Sequence, residues 1–319
     1  MKTYSAFLFL FILVIVILPG CSYFQGNELN NIGMLFDSTI EDNSWNEKGY
    51  EALLEMEKQF KTDVFYKENV RSEQEVKTAV ADFVKEGVNL VIGHGNSYGN
   101  HFVYLTKTYP EVHFIYTNGE IYDSGITSIN MNVHALGFFA GMVAGEMTKN
   151  DQIGVIAAYS WQPELEGLYE GAKYQNPNSN LMIDFITDWD DVEQALAVYE
   201  KFKTNGADVI IPIGHAYSKA VIEAAADDGI HSIGYIQDQH EIAPDYVLTS
   251  MIQHIDHLYI KAATDFNNGD LVGGIRSYDI HDDYIKLGEF NEKIPEYFRT
   301  YIQEEIENYK ETNLLPYEH

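Results

Sequence analysis

Two stretches of similar form, Gly87-Val-Asn-Leu-Val-Ile-Gly-His94 and Gly206-Ala-Asp-Val-Ile-Ile-Pro-Ile-Gly-His215, stand one in each half of the chain. Each is an apolar run too short for a helix, ends in Gly-His and leads into a helical pattern. A strand that ends in glycine and feeds a helix is the place where open α/β sheets bind ligands. The glycine admits close approach, and the helix start offers free N–H groups. Two such ends facing each other would form a cleft, with Gly93 and Gly214 at its walls.

Around these stretches the same alternation continues. Strands are expected near Ile32–Phe36, Asp63–Tyr66, Val112–Tyr116 and Thr127–Met131, and again near Ile153–Ala157, Leu181–Thr187, Val209–Ile213, Ser232–Ile236 and Tyr246–Met251. Helical patterns separate them, opened by capping sequences such as Ser72-Glu-Gln-Glu75. Strand and helix in alternation imply parallel sheets with right-handed crossovers. The fold class is therefore α/β, with two Rossmann-like lobes. Residues 32–132 form the first, with part of 250–290 returning to it, and residues 133–249 form the second. The amphipathic helix at 294–309 is not assigned to either by its pattern. Gly137, Gly141 and Gly145 recur every four residues, a smooth stripe for close packing against a sheet or a partner helix.

Residues 1–21 read as an export leader. Lys2 precedes twelve apolar residues, Phe7 to Leu18, too few to span a bilayer but suited to a signal peptide. Gly20 then precedes Cys21, the one cysteine of the chain, in an arrangement that resembles a lipobox and marks Cys21 for lipidation. Pro19 departs from that pattern. Residues 22–31 are polar and read as a tether.

Acidic residues outnumber basic ones 49 to 20, for a formal charge of −29. Such a surface repels phosphate backbones, and no basic patch is visible, so direct nucleic-acid binding is not expected. Gly95-Asn-Ser-Tyr-Gly99 matches a nucleophile-elbow pattern but lacks a preceding oxyanion loop; Ser97 is better read as a loop or ligand-contact residue. His254 and His257 sit at i, i+3, and His281-Asp-Asp283 adds oxygen donors elsewhere, yet no third ligand is fixed by spacing. Asp190 reads as an N-cap with Glu193 at N3. Neither enzymatic chemistry nor a metal or other cofactor is expected.

The chain resembles the basic membrane protein family of bacterial lipoproteins, whose best-described members are nucleoside-binding proteins of importers. The resemblance rests on Asp42-Asn-Ser-Trp-Asn46, Tyr109-Pro-Glu-Val-His-Phe114, Leu136-Gly-Phe-Phe-Ala-Gly141, Gly206-Ala-Asp-Val209, Gly234-Tyr-Ile-Gln-Asp-Gln239 and Val247-Leu-Thr-Ser250. Trp161-Gln-Pro-Glu164, Tyr174-Gln-Asn-Pro177 and Asp188-Trp-Asp-Asp191 are similar to a bacillar branch of that fold class named for competence activation.

The resemblance implies a type I periplasmic-binding-protein architecture with three hinge crossings, a lipid anchor on the outer face of the cell membrane, and an ABC permease or a membrane signalling partner. It implies a ligand site at Asp42, Trp45, Asn46, Gly93, Trp189, Gly214, Asp238 and Gln253, in which Trp45 and Trp189 take the places of two phenylalanines that sandwich a base. The sugar clasp departs from the family. Its ribose-binding Asp falls at Ile236, its Lys at Gln253, and a base-contacting Asp near Thr117. The expectation is a small planar ligand, nucleoside-like or aromatic, with ordinary nucleosides bound weakly and Ile236→Asp with Gln253→Lys restoring them. The alternative is a positive regulator of competence gene expression that acts indirectly from the membrane.

Overall fold

The structure is a computed structural model and describes residues 28–41 and 44–318. Cys21 and Asp42 lie outside the described residues. Two six-stranded sheets build the chain, and each with its helices forms a lobe. The first sheet contains β1 (Asn31–Leu35), β2 (Val64–Lys67), β3 (Val88–Gly93), β4 (His113–Thr117), β5 (Ile126–Met131) and β11 (Gly274–Tyr278), in the order β11-β5-β4-β3-β1-β2. All its pairings are parallel.

The second sheet repeats the plan with β6 (Gln152–Ala157), β7 (Asn180–Phe185), β8 (Val209–Ile213), β9 (His231–Ile236), β10 (Val247–Gln253) and β12 (Ile285–Leu287), in the order β12-β10-β9-β8-β6-β7. The expectation of parallel sheets fails only at β12, which returns antiparallel to β10. A three-residue return from a neighbouring crossing has no room for a helical crossover.

Three crossings join the lobes, near residues 132–133, 254 and 279–284, and they are tied to one another. Asn132 N–H donates to Tyr278 O at 2.8 Å, and His254 N–H donates to Tyr284 O at 2.7 Å. The C-terminal helix Glu296–Thr312 packs on the second lobe through buried Phe298, Ile302 and Tyr309, and Tyr301 meets Tyr174 there.

The capping box at Ser72 forms as its sequence requires: Glu75 N–H donates to Ser72 Oγ, and Ser72 N–H donates to Glu75 Oε2. The glycine stripe finds a partner helix. Helix His134–Met147 crosses helix Glu164–Gln175 so closely that a Cβ on Gly141 would lie 2.4 Å from Leu168 O. The partner answers with its own glycines, since a Cβ on Gly171 would lie 1.8 Å from Phe138 O.

Candidate ligand-binding site

Between the lobes, at the carboxyl ends of both sheets' central strands, lies a cleft of about 710 Å³. Trp45, Trp189 and Gln253 of the anticipated site residues line it, together with His94, His215, Tyr159, Trp161, Ile236 and several carboxylates. A larger groove of about 1060 Å³ runs beneath the C-terminal helix, but its lining comes from the second lobe side alone. Lobe closure cannot enclose a solute there.

The centre of the cleft is a column of four rings. His94 stacks on Trp45 with centroids 4.6 Å apart, Trp45 faces His215 at 5.7 Å, and His215 lies on Trp189 at 4.3 Å with an interplanar angle of 6°. The slot between the two tryptophans, expected to receive a planar ligand, therefore holds the chain's own imidazole. Each contact of this kind contributes roughly 0.5–1.5 kcal/mol beyond the area it buries. The backbone fixes the plug, because His215 N–H donates to Trp189 O at 3.0 Å.

His94 anchors the other end. A carbonyl can only accept, so Nε2 carries the proton that goes to Trp45 O at 2.8 Å, and Nδ1 accepts from the Tyr259 hydroxyl at 2.7 Å. Both nitrogens are thus used, and His94 has none left to serve Ser97 as a base. Ser97 itself is an exposed residue that starts helix Tyr98–Thr108. Burial pushes the His94 imidazole down to about 4. Burial, helped by His94, pushes His215 down to about 3.

The glycines of the two repeats serve packing rather than ligand approach. A Cβ on Gly93 would lie 2.4 Å from the Tyr98 ring, and one on Gly214 would lie 2.0 Å from the Tyr217 ring. Neither glycine lines the cleft; each makes room for a tyrosine from the following helix, and the histidine beside it reaches the site instead.

Two further anticipated residues lie elsewhere. Asn46 is buried and donates from Nδ2 to Ser38 Oγ and Thr39 O, both at 2.9 Å, which pins the loop after β1. Asp238 is exposed and holds a turn, accepting from His240 N–H at 3.0 Å and Ser250 Oγ at 3.3 Å. A short acidic side chain in a turn satisfies its own backbone before it reaches a ligand.

The N-cap of helix Val192–Thr204 is Asp191, which accepts from Gln194 N–H at 2.9 Å. Asp190 is thereby displaced from the anticipated capping role and lines the cleft. Burial first, then Asp188 and Asp37, push its carboxyl up to about 6. Burial also raises Asp37 against the opposing charge of Arg71, whose Nε donates to Asp37 O at 2.5 Å.

Glu164, deep in the second lobe, accepts from Tyr235 OH at 2.7 Å and Gln162 Nε2 at 3.1 Å. Burial raises its carboxyl despite these bonds. Ile236, which lines the cleft, is buried at φ +69°. A β-branched residue in that region carries strain of order 1–3 kcal/mol.

His254, Asp256 and His257 gather at the start of helix Ile255–Asn267, where each offers a donor atom within 4.8 Å of the others. Sequence spacing fixed only the two imidazoles, and the fold adds Asp256. The rings stack at 4.7 Å, Asp256 faces His254 Nδ1 at 3.7 Å, and none of the three lines the cleft.

The residues missed in the sequence were His94, His215, Arg71, Asp37, Glu164, Tyr159, Trp161 and Asp190. The signal for the two histidines was present, because both repeats end in Gly-His.

One expected outcome follows from the anchor. The unfolded pKa of His94 is about 6.5 and the folded value lies below it, so lowering the pH protonates the unfolded chain first. The stability that neutral His94 supports is complete above pH 6.5 and declines as pH falls toward about 4. Asp190 acts in the opposite sense over much of this range, so the difference between wild type and His94→Asn isolates the effect. That difference should shrink by about 2 kcal/mol between pH 7 and pH 5, as read by urea unfolding. A constant difference would show that His94 titrates normally.

Residues 29–318 match the family of ABC transporter substrate-binding proteins, PnrA-like. The chain is 39% identical to the transcriptional activator protein Med of Bacillus subtilis over 95% of this chain and 96% of that protein. A crystal structure described as a transcriptional activator of the comK gene from Bacillus halodurans superposes with a TM-score of 0.84 at 37% identity, covering 90% of this chain and 100% of that one. A purine-binding protein of Brucella abortus is 21% identical over 92% of this chain and 84% of its own length. Solute-binding proteins of ABC transporters share the type I periplasmic-binding-protein architecture. Two mainly parallel sheets, a cleft at their carboxyl ends and a sequence match along the described length converge, and the chain belongs to the PnrA-like, basic membrane protein family of substrate-binding proteins.

Proposed function

We propose that this chain is a membrane-anchored, extracytoplasmic solute-binding lipoprotein that closes its two lobes on a small solute and performs no covalent chemistry. The observation that carries the reading is the 710 Å³ cleft lined from both lobes at the strand ends, a volume suited to a small molecule. The apolar leader and Cys21 support the anchor. Among the described residues no helix is long and apolar enough to cross a membrane.

The cleft is adapted away from ordinary nucleosides. Ile236 and Gln253 replace the carboxylate and the ammonium of the family's clasp, and His215 sits where a base would stack. A base that stacks between the two tryptophans must displace that imidazole, and an isoleucine cannot supply the charge-assisted bonds that hold a sugar.

A second reading has its own support. With His215 between the tryptophans, the two lobes are bridged by the chain's own rings, a form suited to contacting a signalling partner. The two relatives at 39% and 37% identity are named as activators. On this reading the anchored protein promotes competence gene expression indirectly, through a membrane partner.

All three tryptophans of the chain line the cleft, so intrinsic fluorescence reports on the site directly. Adenosine and guanosine should bind only in the millimolar range or weaker, about −4 kcal/mol. Cys21→Ala should move the protein out of the membrane fraction or leave its precursor uncleaved. Micromolar nucleoside binding would sink the account of the cleft, and a variant that fractionates and migrates like wild type would sink the anchor.

A further inference from the structure

The charge of the cleft is one-sided. Asp37, Glu120, Glu164, Asp188 and Asp190 line it against Arg71, the sole lysine or arginine among its described lining residues. Arg71 is already engaged with the backbone of the loop it touches, through Asp37 O.

The acids also come from both lobes. Asp37 follows β1 in the first, whereas Asp188 and Asp190 stand on the loop after β7 in the second. Like charges from the two lobes face one another across the cleft, and Asp190 is pushed up by burial and by both neighbours. That repulsion works against the contact between lobes unless something positive enters.

A second, independent feature lies beside the acids. Trp161 is 57% exposed, although it stacks on Tyr159 at 5.3 Å and 16° and meets Trp189 edge-on at 5.8 Å. An indole half open to the cleft, braced by two further aromatics, is a platform for a cation. The negative face of an aromatic ring attracts an ammonium group placed over it.

Resting on the solute-binding reading above, we propose that the cleft selects an organic cation, an ammonium group on a compact apolar or aromatic frame, seated on Trp161 with its charge toward Asp37, Asp188 and Asp190. The cation would turn the repulsion between acids of the two lobes into attraction, so binding reinforces the contact between lobes that the ring column already makes. This assignment leaves the His94-Trp45-His215-Trp189 column intact, since the platform lies beside the filled slot.

The test uses one frame in three charge states. Phenethylamine, 2-phenylethanol and phenylacetate are titrated into the purified full chain, with tryptophan fluorescence excited at 295 nm and calorimetry as the second readout. The amine should bind at least tenfold tighter than the alcohol, the carboxylate should bind weakest, and the amine's advantage should fall with added salt. In Asp188→Asn/Asp190→Asn, shown to be folded by circular dichroism, the preference for amine over alcohol should drop below threefold.

An alcohol or carboxylate that binds as well as the amine overturns the charge assignment and leaves the cleft a binding site. A response to adenosine with none to the three probes does the same. No response to any solute overturns the solute-binding reading, and the cation assignment falls with it.

Discussion

Gly171→Ala is expected to destabilise the protein by about 3 kcal/mol or more, although alanine is the better helix former by about 1 kcal/mol. The added methyl would lie 1.8 Å from Phe138 O and 2.6 Å from Phe138 C. Both are backbone atoms of the partner helix, so no side-chain rotation can relieve the overlap. The two helices would have to separate along their whole crossing, and Gly137, Gly141 and Gly167 show that the contact is equally close on either side of it. Separation would also loosen Phe138, Phe139 and Leu168, all fully buried. Thermal unfolding should show a fall on the order of 10 °C. A midpoint that is unchanged or raised would mean that the two helices cross with room for a methyl group.

The second large effect concerns nucleoside binding. Ile236→Asp with Gln253→Lys was expected from the sequence to restore it, and the structure adds a third requirement. The double variant should gain less than tenfold in affinity for adenosine, because His215 still fills the slot between Trp45 and Trp189. Adding His215→Ala should bring the total gain to about 100-fold or more. A stacked base contributes roughly 1–3 kcal/mol. A charge-assisted hydrogen bond contributes about 1.5–3 kcal/mol, and a tenfold change in affinity corresponds to 1.4 kcal/mol.

The backbone favours the central substitution. Ile236 sits at φ +69°, a conformation that Asp tolerates far better than a β-branched residue, so Ile236→Asp removes strain as it supplies the carboxylate. Calorimetry on the wild type, the double and the triple variant decides the matter. A triple variant no better than the double would show that the imidazole does not occupy the base position, and a double variant that already binds tightly would show that His215 moves aside freely.

The difference between these two expectations is where reading the sequence reached its limit. The two Gly-His stretches were legible as strand ends, and they are strand ends. Their glycines were read as ligand contacts, yet each one accommodates a tyrosine, Tyr98 or Tyr217, that comes from a helix beginning only three to five residues later. Local sequence announces that a side chain is missing at a position. It does not say whose side chain fills the space.

The capping signals show the same limit at the scale of one residue. Both Asp190 and Asp191 are competent caps, and one acid, one step along, decides which of them faces the cleft. The energies of the two registers differ through tertiary contacts, here the hydrogen bond with the Ala216 backbone that Asp190 gains by facing the cleft. The stripe Gly137-Gly141-Gly145 foretold a close neighbour. Its counterpart at Gly167 and Gly171 was not identified, since a spacing of four in a second helix has meaning only once the two are known to cross.

The sequence by itself determined the alternation of strands and helices, the doubling of that plan and the acidic composition, because periodicity, composition and residue type are local quantities. Only the tertiary structure decided that His215 would lie between Trp45 and Trp189, that His94 would hold Trp45 through its carbonyl, and that acids from two lobes would meet beside an open Trp161. Those arrangements join residues from 26 to 170 positions apart through the packing of two sheets. Their energies depend on distance and burial, which the order of residues along the chain does not contain.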